Sequence, residues 1–119
     1  MKRLAIMTLL VLAVSLAVCA ASRLILVGIL DEAEDLTTEI FTAMHEGSPT
    51  AALDGLVELA TLWEEKTPVL SFLCPHEHLH EVESNIIQAE ICITYTDMED
   101  FYSSIALISE SLAHIRAAC

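Results

Sequence analysis

Basic residues are scarce in this sequence: five Lys and Arg stand against eighteen Asp and Glu in 119 residues, a formal charge of −13. A chain so acidic repels phosphate backbones and forgoes the counterion release that nucleic-acid binders depend on, which excludes DNA and RNA as partners. Glycine and proline are equally few, three of each, whereas a multi-stranded β domain needs turn residues every few positions. Aromatics make up 5% although apolar residues reach 55%. Leu, Ile, Val and Ala therefore carry the hydrophobicity, and it is too high for a disordered chain. The length suffices for one small domain and excludes a large enzyme fold. There is no Gly-rich phosphate loop and no nucleophile elbow, and the chain reads as non-enzymatic.

Charge is missing altogether from one stretch. Lys2 and Arg3 precede Leu4 to Ser22, which holds no charge; Arg23 and the apolar run Leu24 to Leu30 follow. Nineteen uncharged residues span roughly 28 Å as a helix, close to the thickness of a hydrocarbon core. The sequence thus divides into a membrane anchor or signal segment, 1–30, which contacts the membrane through residues 4–30, and a domain, 31–119. Basic residues before the segment and acidic ones after it place the N-terminus in the cytoplasm and the domain outside, as a single-pass membrane protein. Two alternatives use the same segment. Val18-Cys19-Ala20 offers small residues for signal cleavage and secretion, and Leu16-Ala17-Val18-Cys19 approximates a lipoprotein site. All three export the domain.

From Asp31 onward the eighteen carboxylates meet only Lys66 and Arg116, about −16 for the exported part. The acids look dispersed along the chain, as a solvated surface that keeps the domain soluble and off an anionic leaflet. The functional alternative is attraction of divalent cations or of a basic partner.

Apolar residues recur with a period near 3.6. Met98, Phe101, Ile105, Ile108, Leu112 and Ile115 form one stripe, and Leu79, Val82, Ile86, Ala89 and Ile93 a second. Leu53, Leu56, Ala60 and Trp63 form a third; Ile29, Ala33, Leu36, Ile40 and Ala43 form a fourth, continuous with the apolar segment. No alternation is sustained, so the fold class is all-α: an N-terminal helix continuing into a small antiparallel helical bundle. Gly47-Ser48-Pro49 ends one helix and starts the next, with Ser48 as N-cap. Thr67-Pro68 repeats that signature, Cys74-Pro75 leads into a third helix, and Asp97 caps a fourth. The helices fall at about 20–46, 49–66, 76–96 and 98–118. Short connections make successive helices antiparallel, which brings the apolar connection Val69 to Leu73 to the membrane-proximal end.

Residues 53 to 115 resemble the bacterial family called domain of unknown function 4363. Trp63 with Lys66 after it, Phe72, His76-Glu77, Val82-Glu83 and the closing His114-Ile115 pair carry the resemblance. It implies a small, N-terminally anchored helical protein and adds no chemistry. Pro68, Pro75, Cys74, His78 and His80 depart from the pattern.

His76-Glu77-His78-Leu79-His80 satisfies H-E-x-x-H, in which two His one helical turn apart grip zinc and the Glu activates water. It opens its helix instead of lying mid-helix, and the domain is small for a substrate cleft. Metal binding without catalysis is the more economical reading, with His76, His80, His114 and Cys74 as candidate ligands for zinc or another transition metal. Solvated histidines are the plain alternative. Trp63 reads as core, and His45 as a cation at a helix C-terminus.

Antiparallel helices also bring Cys74 and His76 beside His114 and Cys119. Cys74 and Cys119 are the one cysteine pair expected to be near each other. Three outcomes stay open: a disulfide between them, zinc held with His76 and His114, or free thiols at a frayed end. The leading functional expectation is an interaction or structural module of the cell envelope that docks on another envelope or membrane protein. The alternative is a metal-binding or metal-sensing envelope domain.

Overall fold

The computed structural model describes residues 1–95 and 97–119. Four helices account for almost all of them: α1 (Lys2–His45), α2 (Pro49–Leu73), α3 (His76–Thr94) and α4 (Met98–Ala118). No strand occurs among the described residues. Each helix packs on its neighbours in the chain, and α1 closes the ring against α4. The result is an up-down-up-down four-helix arrangement built from two hairpins, α1–α2 and α3–α4. Each hairpin is packed more intimately within itself than against the other.

The molecule measures 70 × 23 × 21 Å, and its length is that of α1. A helix of 44 residues extends about 66 Å at 1.5 Å per residue. Residues 1–21 are exposed throughout, and this segment is the one stretch among the described residues long and apolar enough to cross a membrane. Burial begins at Leu26 and continues through Ile29, Leu30, Ala33, Thr37, Ile40 and Met44. The chain passes from apolar on all sides to apolar on one stripe without interrupting its helix. Thr37 and Thr38 are accommodated because their hydroxyls donate back to the carbonyls of Ala33 and Glu34, at 2.8 and 3.0 Å.

α1 stops where the sequence indicates. Gly47 takes φ +80°, Ser48 N–H donates to Ala43 and Gly47 N–H to Met44, which together make a Schellman stop that favours glycine. Ser48 holds the N-cap position of α2 with Pro49 next, but its side chain makes no capping bond. Asp97 does cap α4, accepting from Asp100 N–H at 3.3 Å.

The expected break at Thr67-Pro68 is absent. α2 continues through Pro68 to Leu73, so Val69 to Leu73 is helix and not a connection. Proline in a helix interior costs about 3 kcal/mol, and three features offset that cost. Glu64, whose carbonyl loses its usual partner, is on the exposed side. Thr67 Oγ1 donates to the Trp63 carbonyl at 2.6 Å. Beyond the proline, Leu70 is fully buried and Cys74 nearly so, and full burial of a Leu is worth about 1.5–3 kcal/mol. The α2 stripe is also shifted from the expected one. Leu53 is 40% exposed and Ala52 takes the core position, followed by Leu56, Leu59, Leu62, Trp63 and Leu70. The small residue matters because α1 runs close here: a Cβ on Gly55 would lie 2.8 Å from Ile40 Cγ1.

Specific contacts fasten the two hairpins. Trp63 is buried as expected, and its Nε1–H donates to the Leu79 carbonyl at 3.2 Å, joining α2 to α3. Arg116 on α4 pairs with Asp31 and Glu34 on α1 at 2.8 and 3.1 Å. Arg23 donates to the Arg116 carbonyl at 3.4 Å. These contacts put the end of α4 beside the start of the bundled part of α1. The α1–α2 register that sets Gly55 against Ile40 brings Phe72, 92% exposed, to the level of Arg23.

Candidate functional site

The acids that look dispersed along the sequence are gathered by the packing. Glu32, Asp35 and Glu39 from α1 and Glu58 and Glu65 from α2 rim a groove of about 450 Å³ between these helices. Its apolar part comes from Leu36, Val57 and Leu62, with Thr61. None of the five carboxylates has a cationic partner among the described residues; Arg116 is taken by Asp31 and Glu34. The geometry follows from helical spacing. Residues 32, 35 and 39 share one face of α1, 58 and 65 one face of α2, and each acidic row flanks a buried stripe. Packing the stripes together therefore aligns the rows. That signal was present in the sequence as acids at spacings of three, four and seven beside the apolar positions.

Chemically the groove is a negative trough with an apolar floor. It suits the basic face of an amphipathic segment, with aliphatic side chains below and Lys or Arg on the rim. A second depression of about 400 Å³ lies between α2 and α3, lined by Trp63, Pro68, Ile86, Ile87, Glu64, Glu83 and Glu90.

The residues singled out for metal chemistry lie elsewhere. His76 and His80 are exposed on the first turns of α3, His78 is half-buried, and Glu77 is exposed. His114 on α4 is exposed and faces Glu110 at 3.9 Å. No group of three His, Cys, Asp or Glu side chains converges among the described residues. The expected set of Cys74, His76, His114 and Cys119 is thus not assembled. His45 is exposed at the end of α1, as expected, with its ring stacked on Phe41.

Two members of that set share one end of the bundle: Cys74 caps the end of α2 and Cys119 the end of α4. Cys119 is held as well: its N–H donates to the Ile115 carbonyl at 2.9 Å, and its side chain packs against the core. Burial, helped by the neighbouring Cys119, pushes the Cys74 thiol up to about 12. At neutral pH Cys74 is a thiol, the form that neither binds metal nor attacks electrophiles.

No family model, curated protein or solved structure matches this chain.

Proposed function

We propose that this protein is a non-enzymatic docking module of a cell envelope, anchored in the membrane by α1, whose acidic groove receives a basic amphipathic segment of another membrane or envelope protein. The observation that carries the reading is the continuity of α1. One helix supplies both the exposed apolar segment and half of the acidic groove, so the groove is held at a fixed height. Glu32 to Glu39 stand about 15–26 Å beyond Ser22 along the helix axis. In this reading Lys2 and Arg3 stay in the cytoplasm and the bundle lies outside. The acidic surface is repelled by anionic headgroups, which keeps the bundle upright. Phe72 faces the interface at the base.

Co-purification from gently solubilised, cross-linked membranes tests the reading. The intact chain should recover a stoichiometric partner whose capture weakens as salt rises, because exposed charge pairs are screened. Replacing Asp35, Glu39, Glu58 and Glu65 by their amides should abolish capture without unfolding the bundle. Recovery of the protein alone across several detergents contradicts it. Exposure of His76 and His80 one turn apart supports a second reading, a surface site for a transition metal. Elemental analysis of the full chain at micromolar free zinc, copper or nickel, with His76→Ala and His80→Ala controls, decides it.

A further inference from the structure

We propose that the last turn of α2 is a second membrane contact: Phe72 and Val69, with Ile25 of α1 near their level, enter the interfacial layer of the same bilayer that α1 crosses. The two rims of the acidic groove lead there. On α2, Glu58 and Glu65 are followed at the same seven-residue spacing by Phe72. On α1, Glu39 and Glu32 lead at that spacing to Ile25. Seven residues are almost two full turns, so each row keeps to one face of its helix. Both rows are exposed, and both change from carboxylate to a large apolar side chain at the same end of the bundle. The register that sets Gly55 against Ile40 puts the two changes within a helical turn of each other.

α2 reaches this level because it does not stop at Pro68. Its continuation to Leu73 supplies the turn that carries Phe72, and the fully buried Leu70 fixes the rotation of that turn. Two residues on, about 200° around the helix, Phe72 points away from the core and Val69 is exposed one turn before it. α1 brings apolar surface to the same level. Leu24 and Ile25 are exposed, and the first charge beyond Arg23 is Asp31. With Leu4 to Ser22 in hydrocarbon, the interfacial layer above it, about 5–8 Å deep, holds about four or five residues of a helix. Those residues are Arg23 to Val27. The layer accepts both kinds of side chain found here, apolar bodies toward the acyl chains and a guanidinium that snorkels toward the headgroups. Arg23 does reach upward, donating to the Arg116 carbonyl at 3.4 Å. A lipid surface therefore fits this patch, which is apolar and continuous with the exposed apolar half of α1.

The contact has a consequence for the groove. On one crossing helix the bundle could lean in any direction. A second contact on the adjacent helix, about 8–10 Å away, sets the direction of lean. It also holds Glu32 and Glu65 about 10 Å above the apolar contacts, clear of the interfacial layer.

This contact rests on α1 crossing the bilayer, and tryptophan depth measurements test the two separately. The full chain is reconstituted in phosphatidylcholine vesicles that contain lipid brominated either near the headgroup or near the chain ends. Leu12→Trp reports insertion of α1, Phe72→Trp reports the end of α2, and Tyr95→Trp, at the far end of the bundle, is the reference in water. All three positions are exposed, so the fold tolerates the changes. Wild type, whose sole tryptophan is the buried Trp63, supplies the background. Deep bromines should quench Leu12→Trp. Phe72→Trp should lose most of its added emission to the shallow bromines and resist aqueous acrylamide severalfold better than Tyr95→Trp. Quenching of Phe72→Trp by acrylamide as strong as at Tyr95→Trp, with no bromine effect, would overturn the proposal while Leu12→Trp upholds the anchor. Protection of Phe72→Trp from both quenchers, the result of cover by a second copy of the chain, would overturn it too. Absence of bromine quenching at Leu12→Trp as well as at Phe72→Trp would overturn the anchor reading together with it.

Discussion

The two halves of α1 share one helix and differ in what packs around them. Before Ser22 the helix is apolar on every side and buries nothing within the protein; after Leu26 it keeps one apolar stripe inside the bundle and turns carboxylates outward. The same side-chain type therefore does different work on either side of this boundary. Leu12 and Leu30 are both leucines in mid-helix, but Leu12 is 57% exposed and Leu30 fully buried. Periodicity and charge together mark the division: the acids appear once the helix has a buried stripe to flank.

The comparison is open to direct attack. Leu30→Ala should cost about 2–5 kcal/mol of bundle stability through lost burial and a residual cavity, whereas Leu12→Ala should leave the unfolding midpoint unchanged. Urea or thermal unfolding of the full chain in detergent measures both. An equal loss at Leu12 would mean that the apolar half packs against the bundle.

A smaller effect comes from the base, where the halves of α1 meet the ends of α2 and α4. Cys74 titrates at about 12 in the folded protein against its usual 9.0. A thiol whose folded pKa is raised contributes stability fully present below pH 9.0, because the unfolded chain then holds the proton too. That contribution is lost as pH rises through the window from 9.0 to about 12. Reduced protein should accordingly lose stability across this alkaline range more steeply than Cys74→Ala, as read by unfolding at stepped pH.

Two glycines sharpen the contrast between the packed and open faces of the bundle. Gly28 has no neighbour within 4 Å of an added Cβ, while Gly55 has Ile40 at 2.8 Å. Gly28→Ala should raise stability by about 0.5–1 kcal/mol, the helix-propensity gain alone. At Gly55 the same gain is opposed by overpacking that costs about 1–3 kcal/mol, so Gly55→Ala should lower it. Opposite signs in one unfolding series are the expected result.

The smallest effect belongs to Arg116. Its partners Asp31 and Glu34 are substantially exposed, so Arg116→Gln should cost under about 1 kcal/mol. The difference from wild type should shrink at high salt.

How far the sequence reaches depends on whether local or non-local forces decide. α4 was legible but for one position: its cap at Asp97, its length and its stripe from Met98 to Ile115 agree with the structure, except that Met98 is only half-buried. The stop at Gly47 was legible because a positive φ leaves few alternatives. Pro68 misleads because a local penalty is outweighed by burial of Leu70 further along the helix. Leu53 misleads because Ala52 and Leu53 both fit an apolar stripe, and the close approach of α1 at Gly55 selects the frame. The acidic groove is assembled from two helices, so reading the acids along the chain scatters what packing collects. That Cys74 and Cys119 share one end of the bundle followed from antiparallel topology alone, whereas the exposed His76, His80 and His114 do not converge there. Topology fixes which helix ends are neighbours, and the rotation of each helix fixes which side chains point at one another.

The central claim is that the bundle lies outside a membrane on a helix it shares with the anchor. It is tested most directly by labelling an exposed position on α4 in intact cells. Ser103 is exposed whereas its neighbour Ser104 is buried and bonded to the Asp100 carbonyl, so Ser103→Cys in a Cys119→Ser background presents a reactive thiol on the outer face. A maleimide that cannot cross membranes should label it before permeabilisation, and labelling that appears only afterwards would contradict the account.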